Sequence, residues 1–73
     1  MKNIVKKIRI ERGLSQQDLA TALHVSRQTI SYIENGQKKP TILLALRLAE
    51  FLQIPVDSIF ELEAEDRPKP KTK

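Results

Sequence analysis

Apolar residues recur at helical spacing along most of the chain. Ile4, Val5 and Ile8 share one side at i, i+1 and i+4. This stripe predicts a first helix from about Asn3 to Arg12, with Asn3 as N-cap and Gly13 where a left-handed C-cap belongs. Ser15-Gln16-Gln17-Asp18 is a capping-box pattern and opens a second helix, about Gln16 to Leu23, with Leu19, Ala20 and Leu23 on its inner side. After His24-Val25, Ser26 caps a third helix, about Arg27 to Asn35, which stops at Gly36. Gly36-Gln37-Lys38-Lys39-Pro40 reads as a polar turn. A fourth helix is expected from near Thr41 to just before Pro55, because a residue preceding proline resists the helical region. Its Leu43, Leu44, Leu46, Leu48, Ala49, Phe51 and Leu52 surround much of the circumference, which predicts a central, buried helix. Pro55 suits the first turn of a short fifth helix, Val56 to Phe60. Beyond it Phe60, Leu62 and Ala64 alternate with acids. That is period two, the mark of a short strand, and Met1 to Ile4 is its expected partner.

The third helix carries the candidate chemistry. At 100° per residue Ile30 and Ile33 fall together, and Val25 supports the same inner side. Gln28, Ser31, Tyr32 and Asn35, at i, i+3, i+4 and i+7, form a polar stripe opposite, flanked by Arg27 and Thr29. Such groups suit the edges of base pairs: Arg forks onto guanine, Gln onto adenine, and Thr or Tyr carbons meet the thymine methyl. Any exposed helix is polar, so the stripe alone does not decide. The spacing around it says more. The second helix, the tight turn at His24-Val25 and the third helix make a unit of about twenty residues, with the small Ala20 where two helices must cross closely. This looks like a helix-turn-helix, whose second helix enters the major groove of DNA.

Leu14-Ser15-Gln16-Gln17-Asp18-Leu19-Ala20, then Val25-Ser26-Arg27-Gln28-Thr29-Ile30-Ser31, then Ile33-Glu34-Asn35-Gly36 and Pro40 resemble the Cro/cI-type (XRE) family of DNA-binding regulators. The resemblance covers residues 4–60, and the length is similar to that of the family's short stand-alone repressors. It implies an all-α fold, a five-helix lambda-repressor-like bundle in which the second and third helices are the reading unit. It implies base contacts from Arg27, Gln28 and Tyr32, with Thr29 and Ser31 beside them. It implies phosphate contacts from Gln16, Gln17, Ser26, Asn35, Lys38 and Lys39. Arg9 and Glu34 match positions that pair beneath the reading helix in some relatives. One departure is His24, at a turn position often held by glycine; histidine is among the residues enriched in the left-handed region.

The implied function is a sequence-specific, double-stranded DNA-binding transcription regulator, a repressor that binds a palindromic operator as a homodimer. Two half-sites about 34 Å apart would make up for the few base contacts of one module. The expected dimer contact is Ile54, Val56, Ile59, Phe60 and Leu62, unless these residues are core. The alternative is an antitoxin-type autoregulator that also binds a toxin protein, with the tail 61–73 short and without an amphipathic helix to serve it.

Composition narrows the remaining choices. With 73 residues the chain is one small domain, expected at 1–66, followed by a flexible Pro/Lys tail at 67–73. There is no cysteine and a single histidine, and the chain holds two glycines. The acids Glu11, Asp18, Glu34, Glu50 and Asp57 are scattered singly. Thiol chemistry, a metal site, paired-acid catalysis and a glycine-rich phosphate loop therefore have no residues to build them, so neither an enzyme nor a cofactor is expected. The net charge of +4 and pI near 9.7 suit a polyanion partner. Lys2, Lys6, Lys7, Arg9 and Arg12 crowd residues 1–13, and Lys6 or Arg9 is a further candidate for the DNA backbone. The acidic run Glu61 to Asp66 is expected to lie away from the duplex, since it would repel it. Ile42 to Phe51 is too short to span a bilayer, and no signal-peptide core follows Met1. The expected setting is the cytoplasm of a bacterium or archaeon, or of a phage host, with no membrane partner.

Overall fold

The fold is described by a computed structural model over residues 1–69. In chain order it contains β1 (Lys2–Asn3), α1 (Val5–Glu11), α2 (Gln16–Leu23), α3 (Arg27–Glu34), α4 (Ile42–Leu52), α5 (Val56–Ile59), β2 (Phe60–Glu61) and a single 3₁₀ turn, Ala64–Asp66. The five helices close over one core of Val5, Ile8, Leu19, Ala20, Leu23, Ile30, Ile33, Leu44, Leu48, Leu52 and Ile59, and Val25, Ala49, Ile54 and Phe60 pack against it.

Local chemistry sets the boundaries. Ser15 caps α2 reciprocally: its Oγ accepts from the Asp18 N–H at 2.9 Å, and its own N–H donates to Asp18 Oδ2 at 2.9 Å. Ser26 caps α3, its Oγ accepting from the Thr29 N–H at 3.1 Å, and Thr41 caps α4 through the Leu44 N–H at 3.2 Å. His24 ends α2 in the left-handed region at φ 59°. There the chain folds back, and the Val25 N–H donates to the Ala20 carbonyl at 3.0 Å. Gln53 ends α4 in the same conformation, at φ 58°. Non-glycine residues adopt that region at a cost of order 1–3 kcal/mol, which the surrounding packing must offset.

Several expectations are corrected. The first helix begins at Val5, not Asn3. Asn3 belongs to β1, yet it still satisfies the helix: its Oδ1 accepts from the Val5 N–H at 3.1 Å while its Nδ2 donates to the Ile33 carbonyl at 2.9 Å. β1 and β2 pair antiparallel, Lys2 opposite Glu61 and Asn3 opposite Phe60. The alternation past Phe60 does not extend the strand beyond Glu61. The chain instead turns at 64–66, where the Glu63 N–H donates to Asp66 Oδ2 at 2.9 Å.

The fourth helix is not buried all round. Leu44, Leu48 and Leu52, spaced by four, are its buried side, whereas Ile42, Leu43, Leu46 and Phe51 are 79%, 56%, 52% and 42% exposed. A bundle of five short helices has elements enough to cover one side of α4, and the apolar residues on the other side stay in water. Ile59, expected in a dimer contact, is 2% exposed and part of the core. Among its companions Ile54 and Phe60 pack on that core, Val56 is half-buried and Leu62 is 48% exposed. The expected tail begins at Arg67, and its last residues, 70–73, lie outside the described residues.

Candidate nucleic-acid interface

The sequence of α3 divides it into an anchored side and a presented side. Ile30 and Ile33 are 1% and 2% exposed and fix the helix to the core. Arg27 and Gln28 are exposed, Tyr32 is 38% exposed, and Thr29 and Ser31 are half-buried beside them. The amide and the phenol are one helical turn apart, and Gln28 Nε2 donates to Tyr32 Oη at 2.7 Å. That bond narrows the rotamers of both side chains before any ligand arrives. Ser26 Oγ and Thr29 Oγ1 lie 2.8 Å apart at the start of the helix. The residues expected to read bases therefore occupy one face of one element.

An ion pair lies beneath that face. Arg9 of α1 donates through Nε to Glu34 Oε2 at 2.7 Å and through a terminal nitrogen to Glu34 Oε1 at 3.2 Å. Its other terminal nitrogen donates to the Leu14 carbonyl at 2.9 Å. Both side chains are buried, Arg9 to 11% exposure and Glu34 to none. Gln16 Nε2 adds a third bond to the same carboxylate, on Oε1 at 3.1 Å. Gln16 in turn accepts from Arg27 through Oε1 at 3.3 Å. A chain of bonds thus runs from the buried pair through the start of α2 to the exposed start of α3. Arg9 is spent on this network and is unavailable to a DNA backbone, which corrects that expectation; Lys6 remains exposed.

The chain as a whole is similar to known proteins. The Helix-turn-helix family model matches residues 5–59. The chain belongs to this XRE-type helix-turn-helix family. It is 39% identical over 66 residues to the uncharacterized HTH-type transcriptional regulator YgzD of Bacillus subtilis, a match covering 90% of this chain and 100% of that protein. It is 29% identical over 52 residues to the CTXphi transcriptional repressor RstR of Vibrio cholerae, covering 71% of this chain and 47% of that one. In structure it is similar to the restriction-modification controller protein C.AhdI of Aeromonas hydrophila, with a TM-score of 0.70 and 30% identity, over 77% of this chain and 85% of that chain. This helix-turn-helix protein is accordingly a DNA-binding transcriptional regulator, and its family is not a class of enzymes. Among the described residues no helix is long and apolar enough to cross a membrane.

The other expected contacts are less uniform. Gln17 is exposed at the start of α2, with its Nε2 on Thr21 Oγ1 at 3.1 Å. Asn35 is exposed at the end of the regulator's α3, and Lys38 is exposed in the loop that follows. Lys39 is 62% exposed, but its ammonium is paired with Asp66 Oδ1. The acidic run thus reaches the α3–α4 loop rather than lying apart from it. Asp66 is the residue that the sequence reading missed. Its side chain is 2% exposed, and its Oδ2 also faces the Met1 ammonium at 2.8 Å. Lys39 first, and the Met1 ammonium second, hold the Asp66 carboxyl well below the usual carboxylate range. Asp66 in return raises the Lys39 ammonium. No periodic signal announces a contact 27 residues apart in a segment that reads as a strand and tail.

Proposed function

We propose that this regulator is a repressor that binds a palindromic operator as a homodimer, with α3 of each protomer in the major groove. The observation that carries the reading is the division of α3. Ile30 and Ile33 are held in the core while Gln28 and Tyr32 stand at the surface, bonded to one another. In this reading Arg27 and Gln28 supply forked contacts to guanine and adenine, and Thr29, Ser31 and Tyr32 supply hydroxyls and carbon surface beside them. Gln16, Gln17, Ser26, Asn35, Lys38 and Lys39 meet phosphates, which fix register and carry no sequence information. The working unit is residues 1–66, in the cytoplasm where the DNA is.

Repression follows from occlusion, a dimer covering an operator that overlaps a promoter. The similarity to a phage protein named as a transcriptional repressor supports that direction. One module offers few base contacts, each worth about 1–3 kcal/mol of discrimination, so useful specificity needs a second half-site. With Ile59 in the core, the apolar surface for a second copy on α5 and its flanks is Leu62 and the exposed parts of Ile54, Val56 and Phe60. The outer side of α4, with Ile42, Leu43 and Leu46, is the larger exposed apolar surface. Sedimentation of Leu62→Glu and Leu46→Glu variants distinguishes the two, and wild-type protein that stays monomeric at tens of micromolar, on operator DNA as well as off it, ends the homodimer.

Selection of bound duplexes from a random pool tests the rest. A two-fold symmetric consensus is expected. Gln28→Ala should relax the base preference at one position in each half-site, costing about 1–3 kcal/mol on matched DNA. On scrambled DNA it should cost nothing. An equal loss on both would remove α3 from the reading role.

A further inference from the structure

Asp66 divides its two oxygens between different parts of the molecule. Oδ2 accepts from the Glu63 N–H at 2.9 Å and faces the Met1 ammonium at 2.8 Å. Oδ1 is buried and meets only the Lys39 ammonium. The carboxylate is 2% exposed, whereas the lysine that reaches down to it is 62% exposed. Glu63 and Glu65 add further negative charge around the same ammonium. Lys39 also lines, with Lys38, Pro40, Leu44 and Thr29, a groove of about 280 Å³ between α3 and the start of α4. Lys39 therefore sits on the flank of the helix proposed to read bases, in the loop proposed to follow the DNA backbone, with its ammonium turned to Asp66.

A DNA phosphate and the Asp66 carboxylate require the same group. Each phosphate neutralised by a lysine releases counterions, which is why affinity falls as salt rises, by a slope of about 0.9 per contact. A lysine already neutralised from within contributes little to that slope. We propose that Asp66 withholds Lys39 from the DNA backbone, so that the turn at 64–66 acts as an intramolecular rival of phosphate. The rivalry lowers sequence-independent affinity and leaves base discrimination untouched. It rests on the reading above, in which the α3–α4 loop runs along phosphates.

The test uses untagged protein, a matched operator and a scrambled duplex, with binding measured by fluorescence anisotropy from 50 to 200 mM salt. Asp66→Asn, which keeps the shape and removes the charge, should raise affinity on both duplexes by the same factor. The plot of log K against log salt should steepen by up to about 0.9 per protomer, roughly 3.5-fold in affinity across that fourfold salt range. Lys39→Ala should flatten the slope much less than Lys38→Ala in the wild-type background, and as much as Lys38→Ala beside Asp66→Asn. Unchanged affinity and slope in Asp66→Asn overturn the proposal. So does weaker binding at an unchanged melting temperature, which would make Asp66 a brace for the loop. A Lys39→Ala effect of equal size in both backgrounds overturns the withholding alone. A Lys39→Ala change that is silent in both overturns the phosphate reading of Lys39, and the proposal with it. Should Asp66→Asn fail to fold, the wild-type background still decides: a slope loss for Lys39→Ala as large as for Lys38→Ala overturns the proposal, and one less than half as large supports it.

Discussion

Two ion pairs flank the reading helix, and they differ in where water stands. Arg9–Glu34 lies under α3 with both partners buried and three hydrogen bonds on the carboxylate. Lys39–Asp66 lies at its rim, with the acid buried and the base largely in solvent. In the first, no outside group can replace either partner, so the pair works as architecture and holds α1, α2 and α3 in one register. In the second, any anion that approaches from water competes for the lysine, so the pair is exchangeable. Formal charge is the same in both, and burial decides what each can do.

The largest expected difference is in stability. Glu34→Ala leaves the Arg9 guanidinium buried without its partner, and breaking a buried pair in this way costs about 3–5 kcal/mol. A small domain holds only about 5–15 kcal/mol in total, so the urea midpoint should collapse. Asp66→Asn frees the Lys39 and Met1 ammoniums, both of which water already reaches, and its midpoint should move far less. Similar shifts in the two variants would break the comparison.

The next difference separates stability from aim. Replacing both buried partners by apolar residues, Arg9→Met with Glu34→Leu, removes the stranded charge. Stability should then return to within about 1 kcal/mol of wild type, because buried pairs are often replaceable by packing. Operator binding should not return with it. Gln16 loses its acceptor, and Arg27 loses the Gln16 oxygen that steadies it. A misaimed arginine fork should cost about 1–3 kcal/mol of discrimination on matched DNA. A double variant that is stable and binds its operator as tightly as wild type would show that the pair only packs.

The sequence was readable where short-range chemistry acts. Ser15 and Ser26 mark the starts of α2 and α3 to the residue, because a hydroxyl N-cap bonds only two or three residues ahead. The apolar side of α3 follows from its period. The outer side of α4 is not legible in the sequence because nine apolar residues in eleven point in nearly every direction, and hydropathy does not say which of them neighbours will cover. Gln53 in the left-handed region carries no mark that distinguishes it from any exposed glutamine. Arg9–Glu34 was visible only through resemblance to a family, and Lys39–Asp66 not at all, since neither pair leaves a periodic trace. Each joins segments that are brought together only when the core closes.

The smallest expected effect is the pH response of the exchangeable pair. Asp66 is held low, by Lys39 first, and the Met1 ammonium is held high, by Asp66 first and Glu63 second. For a depressed acid, the stabilisation is complete above the ordinary value of 3.8 and lost as pH falls through the lower folded value. For a raised base, it is complete below the ordinary value of 8.0 and lost as pH rises through the higher folded value. The turn at 64–66 should therefore be fully docked between about pH 4 and pH 8 and loosen on either side. Amide chemical shifts of Glu63 and Arg67 should be flat from about pH 6 to pH 8 and move outside that span. Those of Leu14 and Gln16, beside the buried pair, should stay fixed through the alkaline arm, because nothing there touches Met1 or Asp66. Parallel movement of both sets above pH 8 would mean that the terminal turn and the buried pair open as one unit, and the contrast between a fixed and an exchangeable ion pair would then fail at its base.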